Sequence, residues 1–550
     1  MDIAVGQDSV LRHLTDAVAR DPNKAAVIYH GRPHSYAQVD AASDAVANWL
    51  RRSGVRAGER VLCCSANHPQ LIAALFGALK VGAIFVPIGR DTPPATVQYI
   101  LDDCEPAAAI VDAVRWRTNR GLLIPVGGPV LCIGDESPAD ILDLPAVTHA
   151  SDLAPEDGSA PQVDPKPDGL AIIIYTSGST GLPRGVMLPN AHVSFAVKAI
   201  NSVLQNAPDD IILCGLPLSF DYGLYQVFLA FHASATLALE ADFSVPIAIP
   251  RILATLSITG FPAVPAVIAM LLRARLLERV TLPCLRYVTS TGDVFPIAHI
   301  RRLRALLPGT AIAPMYGLTE CKRVSISPLN APDSKIGSVG LPLPGTQVEV
   351  VDRGGRKLPP GATGELVVRG PHVMVGYWNA PEDTARRFRL DKRTGETVLH
   401  TGDAFHVDVD GYLFFVGREE TTIKSLGHKV STAEVENAAC GVPGVAEAAA
   451  IGIPDEVRGE AVHLVISLEA GAELSSDALV SLLRDRLPPA ARPSMITVLE
   501  TPLPRTSNGK IHRSRLVEEM KSTRTRKQEP SSSAGKGACS NGLWIRATHL

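Results

Sequence analysis

The sequence predicts an α/β protein: a large N-terminal domain of α/β subdomains closed by a β-rich subdomain, then a small α+β C-terminal domain. Three observations predict it. Helical and strand-like apolar periodicities alternate through about the first three hundred residues. From about Gly340 they give way to short β-branched runs between Gly and Pro turns. A compact stretch of about a hundred residues then follows Gly417-Arg418-Glu419-Glu420.

Each element has its own signal. "LIAALFGALKVGAIFVPI" (71–88) reads as a helix running into a strand, and so does "IRRLRALLPGTAIAPMYG" (300–317). Residues 171–175, "AIIIY", form a short β-branched run that fits a buried strand. In the β-rich part "TQVEVVD", "GELVVRG" and "GYLFFVG" are strands between turns. Beyond the boundary, "STAEVENAAC" is a capped helix and "AVHLVISLEA" a strand. The expected domains are 1–417, 418–520 and a tail, 521–550, in which six Lys/Arg stand against one Glu among many Ser and Gly, a composition that suits disorder.

Composition narrows the class. Of 550 residues, 46% are hydrophobic and 20% charged, and a net charge of −3 gives no reason to expect a nucleic-acid partner. The nine cysteines are scattered without a CxxC pair or metal-ligand spacing, which fits packing residues in a reducing cytoplasm. No stretch reaches the ~18 uninterrupted apolar residues of a membrane helix, so no membrane insertion is expected.

The most informative segment is "IIIYTSGSTGLPRGVML" (172–188), which runs from a strand into a loop of hydroxyls and glycines. Gly178, Gly181 and Gly185 let the backbone approach a ligand closely. Thr176, Ser177, Ser179 and Thr180 offer hydroxyl donors and Arg184 a positive charge, a set that suits phosphate oxygens. A Walker loop would need Gly-Lys-Ser/Thr opening a helix, and here apolar residues follow Gly185.

This loop resembles the phosphate loop of the adenylate-forming, AMP-binding superfamily: acyl-CoA synthetases, nonribosomal peptide synthetase adenylation domains and beetle luciferases. "MYGLTEC", "HTGDAF", "GREETTIKSLGHKVSTAEVE" and "RTSNGKIHR" resemble further motifs of that family in its order, over about residues 10–515. The resemblance implies a ligase that joins a carboxylic or amino acid to ATP as an acyl-adenylate. The acyl group then passes to the thiol of CoA or of a separate carrier protein's phosphopantetheine, with Mg²⁺ as companion of ATP. It implies Glu320 at Mg²⁺, Thr319 at the α-phosphate, and Asp403 and Arg418 at the ribose, with Gly292, Tyr316 and Gly317 completing the nucleotide site. It makes Lys510 the catalytic lysine on a mobile small domain, Glu420 the hinge, and Gly427 part of a loop that opens the thiol tunnel after the domain has swung. The sequence departs from the family with Arg184 for the usual lysine and Glu420 for the usual Asp or Lys. A luciferase-like oxygenase and a catalytically silent nucleotide-binding relative are the other readings, the latter disfavoured by the retained Glu320, Asp403, Arg418 and Lys510.

For the acid, the expected region is "LPLSFDYGLYQVFLAFHA" (216–233), with Phe220 and Asp221 at the substrate. Asp221 either pairs with a substrate ammonium or caps the helix that follows. Phe220, Tyr222 and Phe228, with "GFPAVPAVIAMLL" (260–272), are expected to line an apolar pocket.

Overall fold

The computed structural model describes residues 8–123, 128–135, 147–153, 166–177, 182–391, 395–418, 421–455, 457–506, 509–528 and 547–549. Their strands form four sheets. A seven-stranded sheet is parallel from Val147–His149 through Ile84–Ile88 to Leu170–Ser177, and antiparallel only where Pro183–Pro189 joins its edge. A nine-stranded sheet is parallel at its centre and ends in the antiparallel hairpin of Ala311–Leu318 and Cys321–Ile326, with Leu341–Pro342 outside it.

The helices Pro69–Lys80 and Asp221–His232 follow strands of different sheets, yet both are apolar all round and almost wholly buried, as such a helix must be. They meet where Phe76 stacks on Phe231 with ring centroids 5.6 Å apart, joining the two sheets in one core. The β-rich part is a five-stranded sheet whose last strand, Leu413–Arg418, pairs antiparallel with Thr397–Val407.

Residues from Ile423 onward build a six-stranded sheet with hydrophobic clusters of its own. Its helix Thr432–Cys440 begins as expected, the Ser431 side chain accepting the Glu434 N–H. Two elements differ from the expectation of a disordered tail from residue 521. Helix Arg513–Gln528 runs past it, anchored by Leu516 and Met520 against Ile451 and Val465 and continued by Lys, Arg and Gln, good helix formers. Ala547–His549 pairs with the open edge of Met495–Leu499. Of the eight described cysteines, all but Cys284 are buried and none is bridged. No described helix is long and apolar enough to cross a membrane.

Candidate active site

A cleft of about 380 Å³ lies where the large sheets, the β-rich sheet and the small domain meet. It is lined by Thr176, Arg184, Phe220, Asp221, Gly292, Tyr316, Gly317, Thr319, Glu320, Asp403, Arg418 and Lys510, which brings together most of the residues singled out in the sequence. Gly178, Ser179, Thr180, Gly181 and Glu420 lie outside the described residues, as does the Ser177 side chain. Gly427 lies elsewhere, at the tip of the hairpin Ile423–Ser425/His428–Val430, with φ +78° and nothing within 4 Å of where a Cβ would stand.

The antiparallel ladder explains the fifteen-residue gap between Asp403 and Arg418, since the two are cross-strand partners. Arg418 Nε lies 3.0 Å from Asp403 Oδ1, and the Tyr316 hydroxyl donates to Oδ2 at 2.7 Å. Asp403 is 2% exposed in a strand, not the turn residue its Gly402 neighbour suggests. Burial pushes its carboxyl up while Arg418 pulls it back, and Asp403 in turn raises the arginine. Each carboxylate oxygen keeps acceptor capacity beyond these bonds.

Thr319 and Glu320 form the two-residue turn that joins Ala311–Leu318 to Cys321–Ile326, not a helix start, so both side chains face the cleft. The Tyr377 hydroxyl holds Glu320 Oε1 at 2.6 Å, and among the described residues nothing bonds Oε2. No group of three or more His, Cys, Asp or Glu suited to a metal occurs among the described residues. One hard carboxylate oxygen fits a Mg²⁺ that keeps its waters and phosphate oxygens as its other ligands.

The loop expected to meet phosphates joins the two strands of a hairpin, with Thr176 opposite Arg184. The strand Pro183–Pro189 follows the loop where a Walker loop would open a helix. The Arg184 Nε reaches Asp383 at 2.6 Å, so a carboxylate from helix Pro381–Arg387 already matches its charge. Tyr377 and Asp383 were not found from the sequence, because nothing near them in the chain marks them as partners of Glu320 and Arg184.

Lys510 enters from the small domain on a loop held by Thr506 N–H to Lys510 O at 2.8 Å and by Ile511 N–H to Asp293 Oδ2 at 3.4 Å. Gly509 allows the approach, with φ +78° and Val264 3.0 Å from where a Cβ would stand. Burial and the nearby Arg418 lower the Lys510 pKa, while Asp293, Asp221 and Glu320 oppose the fall.

The region expected to take the acid departs from expectation. Asp221 is the first residue of its helix and makes no side-chain cap, Phe220 occupying the N-cap position. Its Oδ2 instead accepts from Lys322 Nζ at 2.9 Å. Burial opposes the charge on Asp221, but Lys322, Arg323 and Lys510 hold its carboxyl below the ordinary range. Tyr222 and Phe228 do not line the cleft. They are core residues, Tyr222 bonded to Thr289 at 2.7 Å and Phe228 packed against Phe76, because the helix turns those positions inward. Helix Pro265–Arg273 likewise belongs to the core.

Known proteins resemble this chain along most of its length. The profile described as AMP-binding enzyme matches residues 14–378, and that of the AMP-binding enzyme C-terminal domain matches residues 434–510. The chain belongs to the AMP-binding enzyme family and is an adenylate-forming acid–thiol ligase. It is 31% identical to indoleacetate–CoA ligase of Aromatoleum aromaticum over 90% of this chain and 94% of that one. It is 32% identical to the fatty acid–[acyl-carrier-protein] ligase ScoC of Streptomyces coeruleorubidus, over 90% and 93%. The ATP-bound structure of MatB from Rhodopseudomonas palustris superposes with a TM-score of 0.84 at 27% identity, covering 94% of this chain and 99% of that one.

Proposed function

We propose that this enzyme converts a carboxylic acid and ATP to an acyl-adenylate and pyrophosphate, then transfers the acyl group to the thiol of CoA or of a carrier protein's phosphopantetheine. One observation carries the reading: Lys510 of the small domain lines the same cleft as Asp403, Arg418, Thr319 and Glu320. A carboxylate oxygen attacks the α-phosphorus and the bond to pyrophosphate breaks. Asp403, fixed by Tyr316 and Arg418, accepts the ribose hydroxyls. Thr176, which lines the cleft, takes the phosphate side, and Thr319 donates to the α-phosphate. Lys510 places a cation between the attacking carboxylate and the α-phosphate, where charge develops as phosphorus becomes five-coordinate. Mg²⁺, when bound at Glu320, would neutralise phosphate charge.

In the second half-reaction the thiolate attacks the acyl carbonyl and AMP leaves. The relatives named above differ in acceptor, one being a CoA ligase and one a carrier-protein ligase. Gly427 lies on an open hairpin outside the cleft while Lys510 is inside it, which supports an exchange of the two by rotation of the small domain about Glu420. The test is acid-dependent isotope exchange between pyrophosphate and ATP over amino, aryl and aliphatic acids, followed by thioester formation with CoA or a phosphopantetheinylated carrier. Exchange with at least one acid, slowed by roughly 10²–10³-fold in Lys510→Ala, is expected. Absence of exchange with every acid would overturn the reading.

A further inference from the structure

The strand Cys321–Ile326 is buried at every position, yet it carries two adjacent cations, Lys322 and Arg323. In a regular strand neighbours point to opposite faces. Here the ladder breaks: Tyr316 pairs with Ser325 and Leu318 with Cys321, so extra residues bulge opposite Gly317. Within the bulge Arg323 has φ +64°, a left-handed conformation costly for any residue but glycine. Gly317 makes room for it, since a Cβ there would stand 2.9 Å from Arg323 N and Cα. As a result both cations face the same ring: Lys322 Nζ lies 5.5 Å and Arg323 Cζ 5.1 Å from the centre of Tyr222. Bulges re-aim side chains in this way, and backbone strain that persists in a fold points to a use for the residue that bears it.

The charges do not balance. Lys322 is matched by Asp221 at 2.9 Å. Arg323 is 3% exposed and lines the cleft, but its guanidinium forms no ion pair or hydrogen bond among the described residues, and its buried Nε has no partner. Tyr222 offers it only a ring face. Asp221 lies within the field of Arg323 but is engaged by Lys322, so one carboxylate faces two buried cations, an excess of positive charge that is unfavourable unless a ligand supplies a second anion. Asp221 already holds an ammonium, that of Lys322, and so has no need of one from the substrate.

We propose that Arg323 receives a second anionic group of the substrate, so that the acid taken is a small dicarboxylate. One carboxylate is activated beside Lys510, and the other rests on Arg323 above the fixed Lys322–Asp221 pair. This rests on the adenylation reading above and gives it a substrate class.

The test compares acids matched in length: malonate with propanoate, succinate with butanoate, and aspartate with β-alanine. Acid-dependent pyrophosphate release and thermal stabilisation are measured on the wild type, Arg323→Met and Arg323→Lys. The dicarboxylate of each pair is expected to have the higher kcat/KM, by on the order of 100-fold. Arg323→Met should remove that preference, mainly through KM, and Arg323→Lys should restore part of it. Activity with aspartate alone among the diacids would support the second carboxylate and show that an ammonium is also accommodated. Equal or better use of monocarboxylates by the wild type overturns the inference while leaving adenylation standing. So does a rise in KM for ATP in Arg323→Met with acid preference unchanged. Because thermal stabilisation needs no turnover, an inactive preparation still decides the matter: no greater stabilisation by diacids than by monoacids also overturns it.

Discussion

The two ends of the cleft handle charge in opposite ways. At the end proposed for the nucleotide Asp403 is matched by Arg418 and Tyr316 across an antiparallel ladder, and its charge is paired before any ligand arrives. At the end proposed for the acid the ladder is broken, Arg323 is strained, and among the described residues it has no ion pair of its own, Asp221 being held by Lys322. In the proposed reaction the nucleotide is the same in every turnover, so its grip can be preorganised by the protein's own ion pair. A site that must choose among acids gains selectivity by leaving a buried group unpaired until the right ligand pairs it.

The largest effect expected is at the junction of the two ends. Lys510→Ala should slow acyl-adenylate formation by roughly 10²–10³-fold, the usual consequence of removing one pre-positioned group. Thioester formation from supplied acyl-adenylate should fall far less, and equal losses in the two half-reactions, measured separately, would remove the distinction between Lys510 and the transfer step.

Asp403→Ala should raise KM for ATP and leave the ranking of acids unchanged. It also leaves Tyr316 and Arg418 unpaired, and because the Arg418 side chain is 46% exposed the loss of stability should be about 1–3 kcal/mol, below the figure for a fully buried pair. A changed acid ranking, read from the same panel of acids, would mean that the two ends are not separable.

Gly427→Phe should spare pyrophosphate release and reduce thiol transfer, since the hairpin tip lies outside the cleft in which adenylation occurs. Its φ of +78° adds a local cost of about 1–2 kcal/mol for any side chain, so a melting curve should accompany the two rate measurements. A parallel loss of adenylation would contradict the assignment.

The smallest effect expected is in pH dependence. Burial pulls the Lys322 ammonium down to about 7 despite Asp221, and Arg323 adds to the fall. The unfolded chain, with an ordinary value of 10.5, therefore binds more protons between about pH 7 and 10.5, so the group's contribution to stability rises with pH across that window. Binding of an anion has the opposite sign. Affinity for a dicarboxylate should weaken by a few-fold as pH rises through about 7 and Lys322 loses its proton in the face of Asp221, Arg323, Tyr222 and Tyr225. A doubly substituted Lys322→Met/Asp221→Asn enzyme should lose this slope in a plot of KM against pH, and an unchanged slope would assign it to another group.

The sequence by itself determined the alternation of helix and strand and the change of pattern at Gly340, and it marked the residues proposed to hold the nucleotide. Those depend on neighbours in the chain: apolar periodicity, a glycine and hydroxyl loop after a strand, and the short motifs around Thr319-Glu320, Asp403 and Arg418. The signal for the acid end was also present, as Lys322-Arg323 within an otherwise buried run, but its meaning was not. Asp221 lies 101 residues from Lys322, and only the packed fold decides that it meets that ammonium instead of capping its own helix. Likewise the inward turn of Tyr222 and Phe228, the Tyr377 bond to Glu320 and the Arg184–Asp383 pair join segments far apart in the chain. Side-chain direction at Lys322 and Arg323 follows from a break in strand register and one positive φ, and register is set by the packing of whole sheets.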